Sequence, residues 1–125
     1  MWHVHEKSIN IDKFCDYLTA LHEDGDGRPI TVYMDNLFVH SAEATSDRAT
    51  ALGIKFIFSC AYSPEMNPIE FVFSKIKHRF RQLRAKKIIE GTGPKVEEMI
   101  QSAVEAVTLQ DVQNCIRHVN EKFDF

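Results

Sequence analysis

The sequence predicts an α/β layer with a mostly parallel sheet, and three observations point there. Two β-branched runs, Pro29-Ile-Thr-Val-Tyr-Met34 and Ile54-Lys-Phe-Ile-Phe-Ser59, are separated by a stretch of helical character. Strands alternating with helices are the pattern of βαβ units. Beyond Pro68 the apolar residues recur at three- and four-residue spacing, which is helical periodicity. The composition, 44% hydrophobic and 26% charged over 125 residues, is that of one ordinary globular domain and excludes disordered or repetitive chains.

Each element follows in order. Trp2, His3, Val4 and His5 alternate apolar with polar, so the chain is expected to open on a short strand, with His3 and His5 on one exposed face. Asn10 can cap a helix in which Ile11, Phe14, Cys15, Leu18 and Leu21 share a face. Glu23-Asp-Gly-Asp-Gly27 is a turn cluster. The run from Pro29 to Met34 reads as a strand buried in the manner of parallel sheets, ending at Asp35. Ser41 to Leu52 reads as a helix closed by Gly53, and Ile54 to Ser59 as the next strand. Tyr62 to Pro68 is loop. A long helix runs from about Pro68 to about Ile89 with Ile69, Phe73, Ile76, Phe80 and Leu83 as its apolar stripe, and Gly91-Thr-Gly-Pro94 breaks it. Two amphipathic helices, about Lys95–Val107 and Leu109–Phe123, complete a layout of about three strands with flanking helices.

Charge and cysteine content narrow the class of function. Fifteen basic against eighteen acidic residues give a formal charge of −3, so no global basic field marks the chain. Cys15, Cys60 and Cys115 are few, odd in number and far apart, which predicts reduced thiols in a reducing, intracellular compartment. All three are expected to be small buried residues. No apolar run is long enough to span a bilayer, and the first residues lack a signal-peptide pattern.

Two places carry chemistry. Asp35 ends a strand and is followed by Asn36, with His40 five residues on. Ligands in open α/β sheets gather at the carboxyl ends of strands. The segment Tyr62-Ser63-Pro64-Glu65-Met66-Asn67-Pro68-Ile69-Glu70 is a loop that feeds a helix whose first turn holds Glu70. Carboxylates from a strand end and a helix start can share Mg²⁺ or Mn²⁺, hard cations that favour oxygen ligands. Each acid also has a plainer reading. Asp35 with Asn36 suits a strand-end turn, Glu70 three residues after Asn67 suits a capping box, and His40 suits capping or orienting the next helix.

The pattern Asp35-Asn36-x-x-x-His40, followed by Tyr62 to Glu70 with Phe73 and Lys77 on the next turns, resembles the catalytic domain of mariner-type DDE transposases. Thirty-four residues lie between Asp35 and Glu70, which match the family's second and third acids. The resemblance implies an RNase H-like integrase/transposase core, with Asp35 and Glu70 as metal ligands and catalytic residues. Two cations about 3.5–4 Å apart would serve DNA cleavage and strand transfer. It also implies a nuclear protein, though any other reducing organelle suits a domesticated subunit.

Residues 1–125 would then be a partial catalytic domain, truncated at the N-terminal hairpin that carries the family's first Asp. None of the earlier acids, Glu6, Asp12, Asp16, Glu23, Asp24 and Asp26, lies in an apolar strand pattern. Leu37 stands where the family favours a small residue, and Phe73 where it favours Trp. This chain alone is therefore expected to be inactive. The alternative is a non-catalytic subunit of a larger assembly, with a protein partner completing an open sheet edge.

Lys75, Lys77, Arg79, Arg81, Arg84, Lys86 and Lys87 put seven of the fifteen basic residues into thirteen positions without an acid. On a helix this suits DNA phosphates, and equally a solvated or protein-docking face. Phe14, Phe56, Phe58, Phe73 and Phe80 follow strand or helix spacing and are expected in the core.

Overall fold

This computed structural model describes residues 2, 3 and 5–124. Within the stretch read as one domain, the chain forms two compact units, Met1–Ser63 and Pro64–Phe125.

The first unit contains helix α1 (Ile11–Asp24), strand β1 (Ile30–Met34), the short helix α2 (Phe38–Ser41), helix α3 (Glu43–Ala51) and strand β2 (Ile54–Phe58). Asn10 caps α1 as expected, its side-chain oxygen accepting the Lys13 N–H at 2.9 Å. β1 and β2 pair in parallel, from Ile30 opposite Ile54 to Met34 opposite Phe58. Gly53 sits at φ 68°, the left-handed conformation that ends α3 and turns the chain into β2. Leu18, Ala49 and Ile54 form the core, with Phe14, Ile30, Val32, Leu52 and Phe56 packed against them. Polar contacts fix the helices. Arg48 Nη1 donates to Thr19 Oγ1 at 2.7 Å, joining α3 to α1, and the fully buried Thr45 hydroxyl donates to Val39 O at 2.7 Å.

The second unit begins with a 3₁₀ turn, Pro64–Met66, followed by α4 (Pro68–Glu90), α5 (Val96–Glu105) and α6 (Leu109–Phe123). Both shorter helices pack on α4. Gly91 ends α4 at φ 69°, and Lys87 Nζ donates to Pro94 O at 2.7 Å across the break.

Several expectations are corrected. Two strands are present among the described residues where about three are predicted. Trp2, His3 and His5 are exposed and not in a strand, since no neighbouring strand gives them a ladder, while Val4 of that alternation lies outside the described residues. β1 is not buried on both faces, because only the side carrying Ile30, Val32 and Met34 is covered by helices and Thr31 is exposed. The helix expected over Ser41–Leu52 is two helices, broken at Ala42, whose ψ of 145° is extended. Glu23 and Asp24 lie in the last turn of α1 and not in loop. Cys60 is exposed just past β2, while Cys15 and Cys115 are buried and all three are free thiols. Phe58 (39% exposed) and Phe73 (43%) are not core residues. Phe58 ends a sheet only two strands wide, and no residue of α4 is fully buried. No helix among the described residues is long and apolar enough to cross a membrane.

Leu18 retains 1% exposure at the centre of the first unit, so Leu18→Ala should lower stability by about 2–5 kcal/mol through lost burial and the cavity left behind. A shift of the urea midpoint with an unchanged slope is the expected readout.

Candidate functional site

In the first unit the candidate site is built at the carboxyl end of β1. Asp35 follows Met34 directly, and its side chain keeps 52% exposure. α2 brings His40 back over it. His40 Nδ1 lies 2.8 Å from Asp35 O and 3.3 Å from Asp35 Oδ1. A carbonyl oxygen can only accept, so Nδ1 carries a proton and donates it. The other ring nitrogen of a neutral His40 is then an acceptor. His40 therefore does not cap α3; it bonds back onto Asp35 and packs on the Phe14 ring, with centroids 4.7 Å apart. Asn36 is exposed, and no hydrogen bond is formed by its side chain among the described residues.

A cavity of about 370 Å³ opens beside His40, lined by Phe14, Tyr17, Lys13 and Leu37 together with His3 and His5. His3 meets the Tyr17 ring edge-on at 5.6 Å and His5 at 6.5 Å. Burial, with a smaller contribution from Asp24, pushes the Tyr17 phenol above its ordinary range. These rings gather from the chain start, α1 and α2, a convergence that sequence spacing does not reveal.

The second part of the motif shapes a helix start. Tyr62 is fully exposed and adopts φ 57°, an uncommon conformation for a residue with a Cβ. Ser63 Oγ donates to Ala61 O at 3.4 Å. In the second unit Asn67 N donates to Pro64 O at 3.0 Å, closing the 3₁₀ turn. Asn67 is buried, and its side-chain oxygen accepts the Ile69 N–H at 3.3 Å. Pro68 takes the first helical position, where its missing N–H costs nothing and its fixed φ suits the helix. Glu70 thus falls in the first turn of α4, but it does not form the capping box. No hydrogen bond or ion pair among the described residues engages its carboxylate.

Among the described residues no group of three or more His, Cys, Asp or Glu side chains is placed to hold a metal ion. Asp35 with His40 belongs to the first unit and Glu70 to the second. Of the earlier acids, Asp12, Asp16, Glu23 and Asp24 are on α1, and Glu6 and Asp26 lie in a bend and a turn.

The seven cations of α4 differ in how they are engaged. Lys75 Nζ donates to Asp111 Oδ1 at 2.8 Å, tying α4 to α6. Arg79 reaches Gln82 at 3.4 Å, Lys86 comes within 3.9 Å of Glu90, and Lys87 is held by Pro94 O. Lys77, Arg81 and Arg84 are exposed, and no ion pair or hydrogen bond engages their side chains among the described residues. Lys75 and Asp111 stand 36 positions apart, so sequence spacing could not reveal that one cation of the run is already paired.

Asp111 is drawn down to about 2, first by the Lys75 hydrogen bond and then by the Thr108 backbone N–H, and Lys75 is raised in turn. A carboxyl depressed in the folded state adds stability above its unfolded value of 3.8 and loses it as pH falls toward 2. Between those values the urea midpoint should fall in the native chain and fall less steeply in Asp111→Asn.

A family model described as DDE superfamily endonuclease matches residues 1–90, a span that takes in Asp35, Glu70 and the whole of α4. Neither the curated proteins nor the solved structures offer a match to the chain.

Proposed function

The chain belongs to the DDE superfamily of endonucleases, and on that premise we propose that Asp35 and Glu70 are two of the acids that hold Mg²⁺ or Mn²⁺ in a mariner-type transposase core. A DDE endonuclease domain implies an RNase H-like fold, normally uses divalent metal ions and acts on DNA; here the chain is mixed α/β, mostly helical, with two parallel strands. The observation that carries the reading is the family match, because it covers both acids in their motif contexts. The side chains suit the role. Asp35 is half exposed at a strand end with its carboxylate touched, among the described residues, by His40 alone, and Glu70 does not form the cap that would otherwise explain it. Hard divalent cations favour such carboxylate oxygens and keep waters on their remaining positions.

When bound, the cations supply an activated water or 3′-hydroxyl and neutralise charge on the leaving oxygen. The chain's own residues do the positioning. His40 holds the Asp35 backbone and flanks one carboxylate oxygen, which limits how that side chain can turn. Asn67 and Pro68 fix where α4 begins, and so which turn carries Glu70. Residues 1–125 then belong to one catalytic domain, with the nucleus as its compartment. None of the acids before Asp35 is on a strand.

Titration of the full chain with Mn²⁺ in a calorimeter tests this reading. Asp35→Ala and Glu70→Ala should each weaken binding by about tenfold or more. Affinity unchanged by both substitutions removes it.

A second reading is favoured by the sheet. With only β1 and β2 among the described residues, each strand has one edge without a partner strand, the geometry to which another chain adds by pairing. The domain then serves as a non-catalytic subunit, with a protein partner completing the sheet. Co-purification in a nucleic-acid-free complex, unaffected by Glu70→Ala, is the expected outcome; a monomeric native mass argues against it.

A further inference from the structure

We infer that α4 carries a phosphate track: Lys77, Arg81 and Arg84 hold backbone phosphates of one DNA strand and lead it along the helix toward Glu70. The inference rests on the reading of DNA as substrate and selects, from seven cations, those that face it.

The selection comes from helix geometry. At 3.6 residues per turn, Glu70, Ser74, Lys77, Arg81 and Arg84 fall within an arc of about 80° on α4. Lys75, Arg79 and Lys86 fall on the opposite side, about 140–180° from Glu70. The two groups also differ in what they touch. The opposite stripe reaches Asp111, Gln82 and Glu90, whereas no partner among the described residues engages the Glu70 stripe cations. Ser74, the one residue between Glu70 and Lys77 on that stripe, turns its hydroxyl back to Glu70 O at 3.1 Å and adds no charge. Lys77 and Arg81 line a shallow cavity of about 200 Å³ with Ile76, Phe80 and Ile100. Their stems are backed by apolar surface while their charged ends reach solvent.

The spacing suits a nucleic-acid strand. Lys77 and Arg84 are about 10.5 Å apart along the axis at 1.5 Å per residue. Phosphates of one DNA strand advance about 3.4 Å each, so the track spans about three steps. No acid lies between Ser74 and Arg84 to interrupt it. An acidic protein surface has no comparable repeat, which favours DNA as the occupant.

The test uses the full chain and a short fluorescein-labelled duplex, with anisotropy read between about 50 and 200 mM NaCl. Two variants of equal charge change are compared, Lys77→Ala/Arg81→Ala and Arg79→Ala/Lys86→Ala. All four positions are exposed on a helix, where alanine is well tolerated, and far-UV circular dichroism checks the fold. The track variant should lose about 1.8 from the slope of log affinity against log salt, or 0.9 per phosphate contact, and the opposite-face variant less than about half a unit. Equal losses from both variants overturn the inference, since a diffuse positive field would explain them. No DNA binding by the native chain also overturns it, and capture of an acidic protein in that case assigns the face to a protein partner. The Mn²⁺ titration is repeated on the track variant, so track and metal site fail separately. A track variant that keeps the native slope while the Asp35→Ala and Glu70→Ala effects on Mn²⁺ binding hold sinks only this inference, and the expected slope loss with Mn²⁺ affinity indifferent to both acids sinks only the metal assignment.

Discussion

Asn67 is a buried polar residue whose side-chain oxygen closes onto the Ile69 N–H, with Pro68 between them locked into helical φ. That arrangement fixes the first residue of a 23-residue helix. Once the start is fixed, 3.6 residues per turn determines every later angle. Glu70, Lys77, Arg81 and Arg84 then share one stripe, Lys75 faces Asp111 on α6, and Ile76 and Phe80 face Ile100 on α5. Removing the cap would leave a polar group in the interior unpaired, which costs about 1–3 kcal/mol, and would free the first turn that carries Glu70 to fray. The cap thus ties Glu70 to the packing of the whole second unit.

In the first unit the equivalent constraint is the parallel pairing of β1 with β2. Parallel strands require a crossover, and the crossover here is the chain segment that contains His40. Breaking it at Ala42 into two helices lets α2 stay beside the end of β1 while α3 packs on α1. His40 can then reach both the carbonyl and the carboxylate of Asp35. A single unbroken helix starting at Ser41 would have left His40 ahead of the helix, with nothing to hold it over that strand end.

Much of this was legible in the sequence because it is local. Helical periodicity found α1, α4 and α6 within a residue or so, Gly53 and Gly91 marked two helix ends, and the motif named Asp35 and Glu70 in their elements. What escaped depends on partners distant in sequence. Trp2, His3 and His5 belong to an alternation with the period of a strand, but the described residues offer no strand beside them to pair with. Phe58 and Phe73 have core spacing and lack enough covering atoms. Cys60 has a core composition and an exposed position. Glu70 stands where a capping box is expected, yet the Asn67 N–H that its carboxylate would accept is donated to Pro64 O, and no other partner among the described residues engages that carboxylate. The Lys75–Asp111 pair joins residues on different helices, so it turns one basic residue of a run into a structural clasp without any local mark.

Both units rest on contacts between residues far apart along the chain. β1 and β2 align only after the nineteen residues between Met34 and Ile54 have been gathered into α2 and α3, so the loop-closure entropy must be spent before the ladder forms. α4 meets α5 across the short connection 91–95, but it is tied to α6 only through residues as distant as Lys75 and Asp111, 36 positions apart. Neither unit can therefore form from neighbouring residues alone: in each, a stretch of chain is gathered, and its freedom lost, before the contact that rewards it is made.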